Sequence, residues 1–349
     1  MQPLSREAVR AVIEGRGAAD RIPLAYDHWT YSNIMGGDET RFRQWMAQFP
    51  HDIQYFEIPM PDLLHAPADD PQYRWTGVDK EEDSAAGLDN RPLVDDWESE
   101  EAAIFFDTFP SAEYPGLVPE FHGDGQRYVL ARWWYCLFER LWSIRGMENA
   151  LMDFFLHPAY IHRLFEKLTA FYCRMMERVC AAHPVDGFFV SDDLGMQHAA
   201  FFPVEIFQEF FAPYYRRIIA KAHALGCHFW LHSCGNIEAF LPDFIGMGLD
   251  VIHPIQKNTM DQREIAERFG GQICIWAGFD VQQTIPFGTV EDVRREVRRM
   301  IDTFWRPDGR FMLTMGNGST PDWKIPCLEA LYEESIAYKS HRQNCTALL

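Results

Sequence analysis

The chain has 349 residues, of which 47% are hydrophobic and 15% aromatic, so it can bury a large core and is not expected to be disordered. Its formal charge of −19, from 51 acidic and 32 basic residues, repels nucleic acid phosphates and anionic lipid, and disfavours a strongly anionic ligand unless basic side chains gather in one pocket. No apolar run approaches the roughly 18 residues a membrane helix needs, and residues 1–16 lack a signal-peptide core, so a cytoplasmic protein is expected.

In chain order, the first two strands are expected at 22–27 (IPLAYD) and 52–58 (DIQYFEI). Residues 66–121, rich in Asp, Glu, Pro and Trp, read as an insertion with small hairpins, placed as a lid. A third strand follows at 128–133 (YVLARW). From there, short apolar runs alternate with helical patterns. Strands are expected at 186–193, 228–233, 250–255, 273–278 and 310–315. Helices are expected at 203–225, 239–247, 261–269, 289–304 and 327–338. Five strand–helix units in a row imply parallel strands covered by helices. Eight strands in all make an α/β chain, a (β/α)8 TIM barrel with an N-terminal extension, read as one domain over 1–349. No GxGxxG or GxxxxGK[ST] turn supports a nucleotide-binding sheet.

Chemistry in such barrels sits at the C-terminal strand ends. The strand 228–233 runs into His232-Ser233-Cys234-Gly235-Asn236. Residues two apart in a strand point the same way, so His232 and Cys234 converge, and imidazole with thiolate suits zinc. The bland alternative is a packed histidine and a buried thiol. Cys274, in the strand 273–278, is taken as the third metal ligand, although it lies near that strand's start. The other cysteines, Cys136, Cys173, Cys180, Cys227, Cys327 and Cys345, read as free thiols or ligands rather than disulfides. Asp192 and Asp193 end the strand 186–193. Adjacent carboxylates there are costly unless paired, so both are candidate catalytic groups or metal partners, as is Glu57; Glu205 is a further oxygen donor. Around them, Tyr26, His28, Trp29, Gln256, Trp276 and Asn317 are candidate substrate-binding residues. Aromatics including Trp75, Trp97, Trp133 and Trp134 suit a planar substrate, although core packing accounts for most Trp in any chain.

The segments VSDDLG (190–195), HALG (223–226), HSCGN (232–236), GLDV (248–251), PIQ (254–256) and GFDVQ (278–282), with FER (138–140) and RGMEN (145–149) upstream, resemble the uroporphyrinogen decarboxylase superfamily. The likeness covers a little over half of the chain. The decarboxylase branch holds substrate carboxylates with an N-terminal Arg-rich signature, which the stretch 21–27 lacks. The corrinoid-dependent methyltransferase branch binds zinc with a His-x-Cys pair and a later Cys; His232 and Cys234 look like that pair. In thiol-methylating members the later Cys lies in the turn after the last strand, where this chain has Asn317.

The resemblance therefore implies a zinc-dependent methyltransferase of the O-demethylase type. It moves a methyl group from a small donor, an aryl methyl ether, to the cobalt of a corrinoid (cobalamin-type) cofactor on a partner protein. His232 and Cys234 hold zinc with Cys274 taken as the third ligand, or otherwise Asp193 or Glu205, and Asp193 orients a ligand or protonates the leaving oxygen. The alternatives are a methylcorrinoid-to-thiol methyltransferase like those acting on coenzyme M, a metal-free decarboxylase, and a non-catalytic binding barrel. No nucleic acid or membrane partner is expected, and a homodimer is compatible with the sequence.

Overall fold

The computed structural model describes residues 1–75 and 92–338. In chain order it contains α1 (Arg6–Glu14), α2 (Glu39–Met46), β1 (Ile53–Glu57), α3 (Glu100–Asp107), β2 (Tyr128–Trp133), α4 (Phe138–Arg145), α5 (Met147–Leu156), α6 (Pro158–Ala182) and β3 (Gly187–Ser191). It continues with α7 (Val204–Ile206), α8 (Ala212–Ala224), β4 (His228–His232), α9 (Leu241–Met247), β5 (Val251–His253), α10 (Gln262–Phe269), β6 (Cys274–Phe279), α11 (Thr284–Phe287), α12 (Val290–Phe304), β7 (Phe311–Met315) and α13 (Ile325–Ala337). The seven strands pair in sequence order, all parallel. The curled sheet with its outer helices is a TIM-barrel fold.

The expected first strand at 22–27 is reduced to a bridge. Leu24 pairs with Leu313 on β7, and its carbonyl accepts from Asp52 N just ahead of β1. Pro23 has no N–H to extend the ladder, and Tyr26–His28 turns into a 3-10 helix. Proline also explains other boundaries. β5 stops at His253 because Pro254 cannot donate and Ile255 has φ of 49°. The helix expected at 203–225 is broken by a wide π-turn at Phe207–Phe211, since Pro213 cannot donate to the preceding turn. α12 begins where Thr289 and Asp292 form a reciprocal capping box.

The lid expected at 66–121 falls partly on 76–91, outside the described residues. The described remainder lies along the outer helices. Leu93 N and Val94 N donate to Ile144 O, Trp97 Nε1 donates to Asp153 at 2.6 Å, and the Trp97 ring stacks on Tyr160. Arg178 on α6 donates to the carbonyls of Ala112 and Tyr114. In place of the expected hairpins, the described part holds α3, a 3-10 helix at Pro115–Leu117 and one bridge, Asp62 to Arg74. No helix among the described residues is long and apolar enough to cross a membrane.

The bridge at Leu24 is held by Asp52, which is wholly buried. Its carboxylate accepts from Leu4 N, from Leu24 N, and from both Nη atoms of Arg21 at 2.6 Å. Removing one partner of such a pair strands a buried charge. Asp52→Ala is expected to lose roughly 3–5 kcal/mol of stability, read from urea midpoints. The apolar double variant Arg21→Met/Asp52→Leu should recover much of that loss; an unchanged midpoint in Asp52→Ala would refute this role.

Candidate metal centre at the barrel mouth

Past β3 the chain reverses at two adjacent aspartates that face opposite ways. Asp192 is wholly buried and turned away from the mouth. Its carboxylate accepts from Leu137 N, Phe138 N and Glu139 N, the first turn of α4, and from the Tyr215 hydroxyl. A helix N-terminus favours a negative charge there. Burial nevertheless pushes the Asp192 carboxyl up to about 6. Asp192 thus caps α4 and lies outside the Asp193–His232–Cys234 group. Asp193 faces the mouth. Its Oδ1 accepts from Cys234 N at 2.8 Å and lies 3.5 Å from His232 Nε2.

The loop after β4 is locked to the loop after β3. Gly235 has φ of 80°, and a Cβ there would come within 2.2 Å of the Gly195 carbonyl. Only glycine allows this crossing. Asn236 N donates to Met196 O, Leu194 N to the Ser233 hydroxyl, and Gly235 N to Gln256 Oε1. Gln256 therefore positions this turn.

These constraints bring Asp193, His232 and Cys234 together, with donor atoms all within 4.8 Å of one another. His232 Nε2 lies 3.2 Å from Cys234 Sγ. His232 is oriented by a second histidine. His253 Nε2 is 2.8 Å from the Met315 carbonyl, which can only accept, so that nitrogen carries the proton. His253 Nδ1 then accepts from His232 Nδ1 at 2.6 Å, which leaves the Nε2 lone pair of His232 facing Asp193 and Cys234. Burial pushes both imidazoles below the usual histidine range and keeps them neutral. Burial and the Asp193 charge push the Cys234 thiol up. One oxygen, one neutral imidazole nitrogen and one sulfur fit zinc, whose charge reverses the thiol shift, and three protein ligands leave a position for substrate.

Cys274 does not join this cluster. It opens β6 opposite Val251, whereas His232 is level with His253, two residues further along the strands. That offset is about 7 Å. Cys274 is wholly buried at the lower end of the sheet, and Asp193 occupies the third position instead. Glu205, on α7, is also outside the cluster. Tyr26 is core: its hydroxyl lies 2.8 Å from Ser335 Oγ on α13, which corrects its placement as a substrate contact. His28 is wholly buried between Tyr55 and Trp276, with neither ring nitrogen partnered, and burial pushes it down to about 3. Trp276 is a buried floor 4.7 Å from His253. Trp29 stacks on His253 at 4.9 Å and lies 5.0 Å from His232. Asn317 is exposed, with Nδ2 3.7 Å from Cys234 Sγ. Glu57 closes β1, bonded to Arg132 at 3.2 Å and Trp134 Nε1 at 2.9 Å. It lines a cleft of about 450 Å³ with residues 58–63, Trp134, Tyr135 and Arg140.

Sequence reasoning missed three residues. His253 had a readable signal, a histidine at the end of an expected strand beside the His232 strand. Glu139 is buried and accepts from the Ser191 hydroxyl at 2.5 Å; burial first, then Asp193 and Asp192, push its carboxyl well up. Arg140 is buried beside it on α4. Nothing in the local pattern of α4 marks either as inward-facing.

His253→Phe is expected to keep the fold and weaken zinc binding about 10- to 100-fold in a chelator competition. Zinc binding to the wild type should release about one proton, from Cys234, measured with a pH indicator in weak buffer. Unchanged affinity in the variant would remove His253 from the metal's support, and no proton release would remove Cys234 from the ligands.

Comparisons with known proteins agree with this architecture. The family model Uroporphyrinogen decarboxylase (URO-D) matches residues 139–338. A search of curated proteins finds no match. Among solved structures, a methyltransferase from Methanosarcina mazei superposes with a TM-score of 0.61 at 10% identity, covering 95% of this chain and 98% of that one. Xylanase B from Clostridium stercorarium F9 superposes with a TM-score of 0.44 at 8% identity, covering 95% and 99%. At 10% identity the likeness to the methyltransferase speaks to the fold alone. The family match spans the cluster, its supporting histidine and the helices behind them, and the chain belongs to the uroporphyrinogen decarboxylase (URO-D) family.

Proposed function

We propose that the protein is a zinc-dependent methyltransferase that moves a methyl group from an aryl methyl ether to the cobalt of a corrinoid carried by a partner protein. The observation that carries this reading is the Asp193–His232–Cys234 donor set at the barrel mouth, with its lone pair preset by His253. The aromatic wall of Trp29 and Trp134, 5.7 Å apart, suits an aryl substrate. The corrinoid acceptor is taken from the sequence resemblance to the methyltransferase branch, and the shared fold with the Methanosarcina mazei methyltransferase is compatible with it.

An ether oxygen is a poor leaving group, and a bound zinc ion would supply a Lewis acid for it. Asp193, His232 and Cys234 would hold that ion. The methyl carbon loses its bond to oxygen and gains one to cobalt, and the departing phenolate takes up a proton. Glu139, kept neutral by burial and oriented by Ser191, holds a proton beside the cluster. Trp29 covers one face of His232 and keeps water from it.

The decarboxylase alternative finds less support. Arg21, the arginine of the N-terminal stretch, is buried and bonded to Asp52 at the barrel closure, so it is not available to a substrate carboxylate.

The test is zinc content and methyl transfer in parallel. The purified protein should carry about one zinc per chain. Cys234→Ala should lose the metal together with methylation of a cobalt(I) corrinoid by an aryl methyl ether, and Cys274→Ala should keep both. A metal-free wild type, or zinc lost only on changing Cys274, would overturn the reading.

A further inference from the structure

Four arginines are buried among the described residues: Arg21, Arg132, Arg140 and Arg145. Three are matched by carboxylates. Arg21 holds Asp52 at 2.6 Å, Arg132 holds Glu57 at 3.2 Å, and Arg145 holds Asp153 at 2.6 Å. Arg140, the most buried at 3% exposure, has no such ion pair among the described residues. Its guanidinium lies 4.4 Å over the Trp75 ring and 5.3 Å from the Tyr135 ring, with the Tyr172 hydroxyl as a polar neighbour. Its Nε has no hydrogen-bond partner. The adjacent Glu139 carboxyl is engaged by Ser191. A buried cation without a counter-ion is costly, and proteins rarely keep one without use.

Arg140 lines the 450 Å³ cleft, a volume in the range of small-molecule sites, which run from about 300 to 1,000 Å³. Two carboxylates share that cleft, and each has hydrogen-bond partners of its own. Glu57 is bonded to Arg132 and Trp134, and the exposed Asp62 accepts from Leu64 N and His65 N at the rim. The walls beside Arg140 are the rings of Trp134 and Tyr135. From Trp134 the aromatic contacts run to Trp29 and then to His232.

We infer that this cleft binds an aromatic ring bearing a carboxylate, with Arg140 as the counter-ion that selects it. The inference rests on the mouth being the substrate site and names the class of substrate it takes. The planar guanidinium fork suits a carboxylate, and the flanking rings suit an aryl group. A ring seated there with its carboxylate on Arg140 directs its opposite edge along Trp134 and Trp29 towards the metal ligands. Arg140 is then a specificity-determining residue.

The test is equilibrium binding by calorimetry, with 4-methoxybenzoate and its neutral isostere 4-methoxybenzamide as probes, in the absence of any corrinoid. The wild type should bind the carboxylate on the order of 30-fold more tightly or better, the loss typical of an unmatched buried charge. Arg140→Met should abolish that preference while its affinity for the amide stays near wild type, which also reports an intact cleft. Arg140→Lys should keep part of the preference. Equal affinity of the wild type for the two probes would overturn the inference, and so would a preference that survives in Arg140→Met. If Arg140→Met does not fold, the wild-type comparison still decides. Selective carboxylate binding without methyl transfer to a corrinoid would leave this inference standing and remove the proposed reaction instead.

Discussion

The hydrogen bond between two buried imidazoles sets the geometry of the mouth. His253 sits between His232 on β4 and the carbonyl of Met315 on β7, so one proton chain ties three strands at their C-terminal ends. Each link has a single polarity. The carbonyl accepts, which fixes the proton on His253 Nε2, which fixes the proton on His232 Nδ1, which frees Nε2. The stacked ring of Trp29 and the floor of Trp276 exclude water from this chain, and dryness strengthens every bond in it. The His232 lone pair is therefore presented before any ligand arrives, and binding does not have to reorganise the ring.

The neighbouring aspartates show how one fold assigns different tasks to identical groups. Backbone alternation past β3 sends one carboxylate into the N-terminus of α4 and the other over the cluster. Asp192 anchors the helix that carries Glu139 and Arg140, so the cap also sets where those two side chains meet the mouth. The glycine crossing of residues 195 and 235 then presses the Asp193 loop onto the Cys234 loop. Helix cap, glycine crossing and imidazole chain act on the same three candidate ligand residues from three directions.

Much of this was legible in the sequence, for reasons that are local. The strand–helix alternation from residue 186 onward follows from periodicity, and five of its strands appear within two residues of their expected ends. The pairing of His232 with Cys234 follows from the two-residue repeat of a strand. What was not legible depends on register between strands. Cys274 shares a face with Trp276, but only the pairing of Val251 with Cys274 shows that it starts too low to reach His232. Asp192 and Asp193 are indistinguishable by type, and their separation depends on where α4 begins, far away in sequence. Tyr26 sits in an expected strand whose proline-limited pairing sends its hydroxyl outward to Ser335.

The acidic composition acquires a different meaning once the buried cations are located. Arg21 with Asp52 closes the barrel, Arg145 with Asp153 clamps α4 to α5, and Arg132 with Glu57 joins the ends of β2 and β1. Each is neutral as a pair, so these three cations and their partners add nothing to the formal charge of −19. A net negative chain repels polyanions, but salt confines its field to about a Debye length, near 8 Å under physiological conditions. A small ligand that enters the cleft passes through this field and then meets one unmatched guanidinium flanked by aromatic rings. Global charge and local charge thus select at different distances: the first excludes large anions, and the second discriminates among the small molecules that remain.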